Sequence, residues 1–293
     1  MAIYHFNAQA LSRSSGASSV AAAAYRSGDD LKDERTGERH NYSRRTGVDH
    51  AEIIAPDRSP DWIRDRAQLW NTAEAAERRR DSQVAREVRV ALPRELKAQE
   101  QRHLVREFCR QEFAGAGMVA DVAYHDSGGE NPHAHILLTM RRIEGQGFGK
   151  KERAWNGKER LEGWRQSWSD HANRALDRAG RSERIDHRTL EAQRDEVLDR
   201  GDLEKAAELD REPQVHLGKA AYVEARETRT EKVSRALEIA ERNDLYSKLR
   251  EWMRREIKQL GRQLQQLRRE EALQPSQGRD LERPGKALNK CRI

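Results

Sequence analysis

Three of the ten histidines in the chain lie within one short stretch, HDSGGENPHAH, from His125 to His135. His133 and His135 are two positions apart and lead into the apolar ILLTM, which predicts a strand with both side chains on one face. His125 ends the preceding apolar segment, and the turn at Gly128-Gly129 would fold it back beside them. The spacing therefore predicts three imidazoles converging at one β-hairpin.

Three imidazole ligands leave coordination positions open, which is typical of a catalytic metal site and not of a closed structural one. Imidazole favours transition ions such as Zn, Mn, Fe, Co or Ni over Mg²⁺. Such a metal either activates water or polarises a phosphoryl oxygen that another group attacks. Histidine-triad nucleotide hydrolases carry a third alternate histidine, and Leu137 occupies that position here. The alternative interpretation is a polar loop in which the histidines cluster by chance.

Tyr25 closes an alanine-rich segment, AAAAYR, in the last turn of a predicted helix. That helix has Ser18 or Ser19 as its N-cap and ends at Gly28. Taken alone, Tyr25 is an ordinary aromatic anchor of an amphipathic helix. A phenol with its usual pKa of about 10 is a poor nucleophile at neutral pH, but a nearby cation or arginine favours the phenolate. Beside a metal at the histidines, Tyr25 becomes a candidate nucleophile for phosphorus.

Alternating and helical periodicities predict the elements that would position these side chains. Strands are expected at 2–11, 49–55, 84–93, 118–126 and 133–142, and helices at 18–27, 59–80, 94–117 and 160–180. The last two strands form the histidine hairpin. In the strand at 84–93, Val84, Val88 and Val90 lie on one face, which Arg86 interrupts. Glu87 lies on the other face, which the pattern predicts to be exposed to solvent.

The composition indicates a globular part joined to a solvated, charged part. Charged residues make up 36% of the chain, aromatic residues 5%, and the mean hydropathy is −1.06, which is too polar for one compact core. A net charge of +6 permits nucleic-acid binding without requiring it. Two distant cysteines, Cys109 and Cys291, make a reducing cytoplasm the default location. Neither a signal peptide nor a membrane span is expected.

The character of the sequence changes after about residue 188. From Leu237 to Leu267, apolar residues recur at three- and four-residue steps among Arg, Glu, Lys and Gln. This pattern predicts a long helix with one narrow apolar stripe, typical of a coiled coil. The final stretch, 274–293, is expected to be a frayed tail.

Six stretches together resemble one known family. They are MAIYHFNAQALSRSSG, SSVAAAAYRSGDDLKDERTGE, VAREVRVALPREL, GENPHAHILLTMR, WSDHANRALDRAGRSERIDHRTLEAQ and PQVHLG, and they cover roughly residues 1–218. In this order they resemble the MobA/MobL relaxases, plasmid mobilisation proteins of the MobQ type within the HUH endonuclease class. The resemblance implies an α+β relaxase domain at 1–218, with a central antiparallel sheet flanked by helices. A charged helical extension and tail would occupy 219–293.

The resemblance also implies an activity and a set of site residues. Tyr25 would cut one DNA strand at the nick site of an origin of transfer and remain linked to the 5′ phosphate. His125, His133 and His135 would hold a divalent metal, Mg²⁺ or Mn²⁺, with other transition ions also open. Glu87 matches an acidic position of the family's middle motif and would orient a histidine or assist proton transfer, the alternative being a solvated strand residue.

The expected partners follow from this activity. Single-stranded DNA at the origin would be the substrate, with phosphate contacts from Arg26, Arg44, Arg45, Arg141 and Arg142, although such basic residues more often form a solvated surface. Accessory mobilisation proteins, a type IV secretion coupling protein and self-association through the helical extension are the other expected interactions. The protein would act in the bacterial cytoplasm on a plasmid and could travel with the DNA. Two other functions remain open: a metal phosphodiesterase or nuclease that uses activated water, and a non-catalytic DNA-binding protein.

Overall fold

The computed structural model describes residues 3–213 and 231–273. The chain divides into two compact units, Met1–Arg188 and Thr189–Ile293. The functional boundary expected at residue 218 stays a prediction. Among the described residues, no helix has the length and apolar character that crossing a lipid bilayer requires.

The first unit contains nine strands and four α-helices among its described residues. The strands are β1 (Phe6–Ser12), β2 (Asp30–Lys32), β3 (Arg39–Asn41), β4 (Val48–Ile54), β5 (Gln83–Ala91), β6 (Ala120–His125), β7 (His133–Leu138), β8 (Arg141–Glu144) and β9 (Gly147–Lys151). The helices are α1 (Ser19–Ser27), α2 (Arg66–Ala75), α3 (Ala98–Cys109) and α4 (Lys158–Arg178). Short 3-10 turns lie at Arg13–Ser15, Asp61–Arg64 and Arg153–Asn156, and a π turn at Arg110–Ala114 follows α3.

Five of the strands form one antiparallel sheet in the order β1-β5-β7-β6-β4. The strand with two histidines, β7, lies at its centre. Helices cover both faces, so the expected α+β fold is confirmed. The prediction that one face of β5 is exposed to solvent was wrong, because Glu87 is only 3% exposed. Its strand pairs with neighbours on both sides, and contacts from α1 cover its polar face.

Alternate residues of the central strands supply two separate cores. Val88, Val90 and Ile136 belong to the core shared with α3 and α4, where Phe108 packs edge-on against Trp168. Ala85 and Leu137 belong to the core shared with α1 and α2. The histidine side chains share the parity of Leu137 along β7, so they lie on the α1–α2 face of the sheet.

The second unit contains α5 (Leu190–Asp199), α6 (Leu203–Leu209) and the 43-residue helix α7 (Glu231–Leu273). The predicted long helix is therefore confirmed. Its middle contacts α6, where Arg254 pairs with Glu204 at 2.6 Å. Apolar side chains along its second half are exposed to solvent: Ile257, Leu260, Leu264 and Leu267. The frayed tail predicted at 274–293 lies outside the described residues.

Candidate active site

The β6–β7 hairpin brings the three predicted histidines together. His125 is the last residue of β6 and His133 is the first residue of β7, and the two are paired directly across the hairpin. Asp126 begins this turn with a φ of 53°, and its carboxylate accepts a hydrogen bond from the Asn131 amide at 2.7 Å. The imidazole centroids are 4.8 to 5.2 Å apart, and one nitrogen from each ring lies within 4.8 Å of the others.

Each imidazole has one nitrogen hydrogen-bonded to an oxygen that can only accept. His125 Nε2 donates to the Arg26 carbonyl at 2.9 Å, and His133 Nδ1 donates to the Asn131 carbonyl at 2.7 Å. His135 Nδ1 donates to the Glu87 carboxylate, also at 2.7 Å. These bonds fix the tautomers and leave the second nitrogen of each ring with a free lone pair, as metal-binding histidines require.

The surroundings favour the neutral form of two of these imidazoles. Burial lowers the pKa of His125 to about 4, with a further contribution from the neighbouring His135. Burial also lowers the pKa of His135, although Glu87 opposes the shift. Neutral imidazole is the ligand form. Three converging lone pairs therefore fit a divalent metal, and the donor set of three nitrogens favours a transition ion over Mg²⁺.

Glu87 lies on β5, the strand next to β7, and its carboxylate accepts hydrogen bonds from three side chains. Its carboxylate accepts from His135, from Arg26 Nε at 2.7 Å and from Gln9 Nε2 at 3.0 Å. Burial alone would raise the pKa of Glu87, but the bonds from His135 and Arg26 outweigh it and the pKa is lowered. Because hydrogen-bond donors surround both oxygens of this ionised carboxylate, it orients His135 and has no free lone pair directed at a substrate.

Both ends of α1 are held by contacts with buried carboxylates, Glu74 at its start and Glu87 at its end. At its start the Ser18 side chain caps the Ala21 amide, as predicted, and Ser19 donates through its amide and hydroxyl to the buried Glu74 of α2. At its end Arg26 pairs with Glu87, while the Arg26 carbonyl accepts the bond from His125. The last turn of α1 therefore forms part of the wall of the histidine site.

Tyr25 lies in this last turn, one residue before Arg26, with its side chain 47% exposed. The Arg45 guanidinium lies over the phenol ring, 3.7 Å from its centroid, and also donates to the Tyr25 carbonyl. Tyr42 packs edge-on against the same ring at 5.2 Å. The phenol is thus accessible, fixed by packing and close to a positive charge.

The arginines predicted to bind DNA fall into two groups. Arg26 and Arg45 lie at the site, where Arg26 pairs with Glu87 and Arg45 lies over the Tyr25 ring. Arg44 is exposed in the adjoining turn. Arg141 and Arg142 follow the opposite end of β7, about 20 Å from His135 along the strand direction. Arg141 pairs with Glu77, and Arg142 pairs with Glu152. The structure therefore does not bring these two to the histidines.

The sequence did not predict Gln9 and Tyr42 as residues of the site, and it predicted Arg45 only as a phosphate contact and not as a neighbour of Tyr25. Gln9 reaches Glu87 because β1 pairs with β5 in the register Gln9↔Glu87, across 78 residues of sequence. The alternation of Asn7 and Gln9 with apolar residues on β1 was the available signal. Arg45 and Tyr42 reach Tyr25 through a loop fold that no local pattern predicts.

Known proteins are similar to this chain in sequence and in architecture. The sequence profile of the MobA/MobL family matches residues 17–229. The chain belongs to the MobA/MobL family. Conjugal transfer protein TraA of Agrobacterium fabrum is 36% identical over 83% of this chain but only 24% of its own length. Mobilization protein A of Escherichia coli is 33% identical over 92% of this chain and 37% of its own length.

One solved structure extends the likeness to three dimensions. It is described as "Molecular Basis of Vancomycin Resistance Transfer in Staphylococcus aureus", is 34% identical, and superposes with a TM-score of 0.61 over 64% of this chain and 99% of that one. This MobA/MobL chain thus spans about a quarter of the length of the TraA relative, and about two thirds of it shares the fold of nearly the whole solved chain.

Proposed function

We propose that this chain nicks one strand of DNA at a plasmid origin of transfer and becomes covalently joined to the cut end through Tyr25. Arg26 joins the turn that bears Tyr25 to the histidine cluster, through its carbonyl to His125 and through its guanidinium to Glu87. An accessible phenol and a metal-binding set are thereby held on one small surface. The names of the relatives, conjugal transfer and mobilization proteins, support the biological setting.

The chemistry is a transesterification. The Tyr25 oxygen attacks the phosphorus of a phosphodiester, a bond forms between them, and the bond from phosphorus to the 3′ oxygen breaks. The phenol gives up its proton, and the departing 3′ oxygen takes one to become a free hydroxyl. Arg45 lies over the ring and holds the phenol in position through a cation–π contact. Because the phosphotyrosine conserves the bond energy, attack by a 3′ hydroxyl on it reverses the step and transfers the strand.

His125, His133 and His135 would hold the divalent metal. When bound, such an ion polarises phosphoryl oxygens and stabilises the charge that builds on them. The three nitrogens favour Mn²⁺ or another transition ion over Mg²⁺. Glu87 positions His135, and the Arg26 and Asn131 carbonyls position the other two rings.

Neighbouring tyrosines differ from Tyr25 in ways that matter for nucleophilic attack. Tyr124 precedes His125 on β6, but its side chain is buried on the opposite face and donates to Glu52 at 2.9 Å. Burial raises the pKa of Tyr124, and the carboxylate of Glu52 raises it further. Tyr42, in the loop after β3, packs against the Tyr25 ring and provides a matched control.

A denaturing gel tests the proposal. Single-stranded oligonucleotides tiled along the DNA that surrounds the chain's own gene are incubated with the protein and Mn²⁺. Wild type and Tyr42→Phe should give a slow band of DNA attached to protein, and Tyr25→Phe should give none. Cut DNA that survives Tyr25→Phe without an adduct would instead establish a nuclease that uses water. An adduct that persists in Tyr25→Phe would assign the nucleophile elsewhere.

The remaining interactions are proposals of the same kind. Single-stranded DNA at the origin is the substrate that this chemistry requires. Accessory mobilisation proteins and a type IV secretion coupling protein are proposed partners, since a cut strand held by Tyr25 must be unwound and delivered. Pull-down with each purified candidate, with and without the covalent adduct, measures these contacts directly.

A further inference from the structure

An arginine without a counter-ion lies on the same face of the sheet as the histidines. Arg89, on β5, is paired directly with His135 on β7, so the two side chains lie on the same side with their Cβ atoms about 5 Å apart. It alternates along β5 with Val88 and Val90, which belong to the core on the opposite face. Arg89 is half-buried. A cation is therefore held next to the metal-binding set.

The protein does not satisfy the hydrogen-bonding capacity of this guanidinium. Arg89 Nε is buried and has no hydrogen-bond partner. Among the described residues, the acceptor for Arg89 is the neutral side chain of Asn7 on β1, with 3.3 Å between Nη2 and Oδ1, and no carboxylate forms an ion pair with it. Glu87 is two residues away on the same face, but its carboxylate already accepts hydrogen bonds from three other side chains. The positive charge of Arg89 is thus uncompensated.

An anion at the histidines would compensate this charge. A partly buried guanidinium without a counter-ion is unfavourable, and an anion close to it removes that cost. The proposed reaction brings such an anion to the site, a phosphodiester. A guanidinium donates hydrogen bonds in a geometry that matches phosphate oxygens, and it stays protonated at every pH at which the protein is folded. Arg89 is therefore suited to stabilise negative charge and not to transfer a proton.

Tyr25 and Arg89 lie on opposite sides of the histidines. The ring of Tyr25 contacts Tyr42 and Arg45, which belong to the loop that leads from β3 into β4. The end of α1 lies against the same strand, since a Cβ on Gly28 would be 3.6 Å from the first side chain of β4. The strand order β1-β5-β7-β6-β4 places β4 on one side of the two histidine strands and β5 on the other. The histidines therefore separate the phenol from the arginine.

The geometry of substitution at phosphorus assigns a reacting oxygen to each side. In an in-line displacement the attacking and leaving oxygens lie on opposite sides of the phosphorus. When the phosphodiester lies at the histidines and Tyr25 attacks from the β4 side, the leaving 3′ oxygen faces the β5 side. Two arginines lie there. Arg26 pairs with Glu87, whereas Arg89 has no carboxylate partner and remains available to the substrate.

We propose that Arg89 stabilises the negative charge on the leaving 3′ oxygen during nicking. This inference rests on the proposed function, because it needs Tyr25 as the nucleophile. As the bond between the Tyr25 oxygen and phosphorus forms, the electron pair of the bond from phosphorus to the 3′ oxygen moves onto that oxygen. Arg89 donates a hydrogen bond to it and keeps its own proton, and water supplies the proton that completes the 3′ hydroxyl. In the reverse step, the same hydrogen bond stabilises the attacking 3′ oxygen.

A change of the leaving atom tests the proposal. One substrate is the oligonucleotide that forms the adduct, and the other has sulfur in place of the bridging 3′ oxygen at the nick. A thiolate leaves with much less help than an alkoxide, because a thiol such as that of cysteine has a pKa of about 8.5 and water has one of about 15.7. Single-turnover rates at saturating DNA and Mn²⁺ measure the cleavage step separately from binding.

Arg89→Gln should slow adduct formation about 100-fold with the oxygen substrate, since it removes a donor to a developing oxyanion. Arg89→Lys keeps the charge and should slow it less. With the sulfur substrate, both variants should react nearly as fast as wild type. Arg102→Gln is the matched control, because Arg102 on α3 is also half-buried with an unpartnered Nε, but α3 packs on the opposite face of the sheet. This control should match wild type with both substrates.

An unchanged rate of Arg89→Gln with the oxygen substrate would overturn the proposal, as would an equal loss with both substrates in a variant that keeps the urea midpoint of wild type. If Arg89→Gln unfolds more easily, the same comparison in Arg89→Lys decides. In each of these cases wild type still forms the adduct, so the nicking site stands and only the role of Arg89 fails. If wild type forms no adduct with any oligonucleotide, the nicking proposal itself fails, and the role of Arg89 fails with it.

Discussion

At the residue scale, the site is organised around one buried carboxylate. Glu87 accepts hydrogen bonds from a histidine, an arginine and a glutamine that come from three different elements. The family resemblance left two roles open for Glu87, and this geometry agrees with the first, which is to orient a histidine. Proton transfer does not agree with it, because a carboxylate whose pKa is lowered by such partners is a weak base.

Replacing this carboxylate should therefore weaken metal binding. Glu87→Gln keeps the side-chain size but removes the charge that holds His135, and the affinity for Mn²⁺ should fall about 10- to 100-fold. Isothermal titration calorimetry measures this affinity. Glu77→Gln is the matched control, since Glu77 is also buried and paired with two cations but lies at the other end of the sheet. An equal loss in both variants would show a general loss of stability and not a role at the site.

The lowered pKa of His125 should appear as a pH dependence of stability in the metal-free protein. Its folded pKa is about 4, against about 6.5 when unfolded, so the unfolded chain binds more protons between these values. The free energy of unfolding should then fall as pH drops from 6.5 to 4, by up to about 3 kcal/mol. Urea unfolding at several pH values measures it.

The controls separate His125 from other histidines. His125→Gln should remove its share of this fall and leave a shallower one from His135, whose pKa burial also lowers. His103→Gln, at an exposed position on α3, should leave the profile unchanged. A profile that keeps its full steepness in His125→Gln would contradict the assignment.

At the element scale, the sequence correctly predicted those helix ends and turns that depend on neighbouring residues alone. The β6–β7 hairpin, the Ser18 cap of α1 and its end at Gly28, where φ is 75°, all follow from neighbouring residues. One predicted helix, 59–80, is instead a 3-10 turn followed by α2, because the Asp65 side chain caps the Gln68 amide and starts a new helix.

The burial of β5 could not be predicted in the same way. Glu87 and Arg89 alternate with valines, which is typical of a half-exposed strand. The residues that cover Glu87 lie 78 and 61 positions away, at Gln9 and Arg26. Pairings at such distances carry no local signal. The sequence therefore predicted the types of side chain at the site, and the structure supplied the contacts that orient them.

The contribution of the Arg26–Glu87 ion pair, which attaches α1 to β5, should be measurable as a change in the free energy of unfolding. Arg26→Met leaves Glu87 buried without its cation, which should lower the free energy of unfolding by about 3 kcal/mol. Adduct formation should slow as well, because Tyr25 lies in the same turn. The double variant with Glu87→Gln removes the unpaired charge and should be less destabilised than the sum of the single variants. Additive effects in urea unfolding would show that the two side chains are not coupled.

At the scale of the whole molecule, the polar composition is distributed unequally between the two units. The described apolar core lies almost entirely in the first unit, and the second contributes few buried apolar residues, among them Ala206 and Ile239. In contrast, apolar side chains along the second half of α7 are about half exposed or more. Ile257, Leu260, Leu264 and Leu267 follow one another at steps of three, four and three residues. That is the narrow stripe which a two-stranded coiled coil buries.

We expect a second copy of the chain to cover this stripe, because a two-stranded coil buries identical stripes against each other. We therefore expect the protein to form dimers whose stability depends on α7. Sedimentation velocity at increasing concentration should show wild type shifting from monomer to dimer. Leu264→Glu should stay monomeric, since it places like charges within the buried stripe, while Gln263→Glu, at the neighbouring exposed position, should still dimerise. A wild type that remains monomeric, or a Leu264→Glu variant that dimerises equally well, would show that the stripe has a different partner.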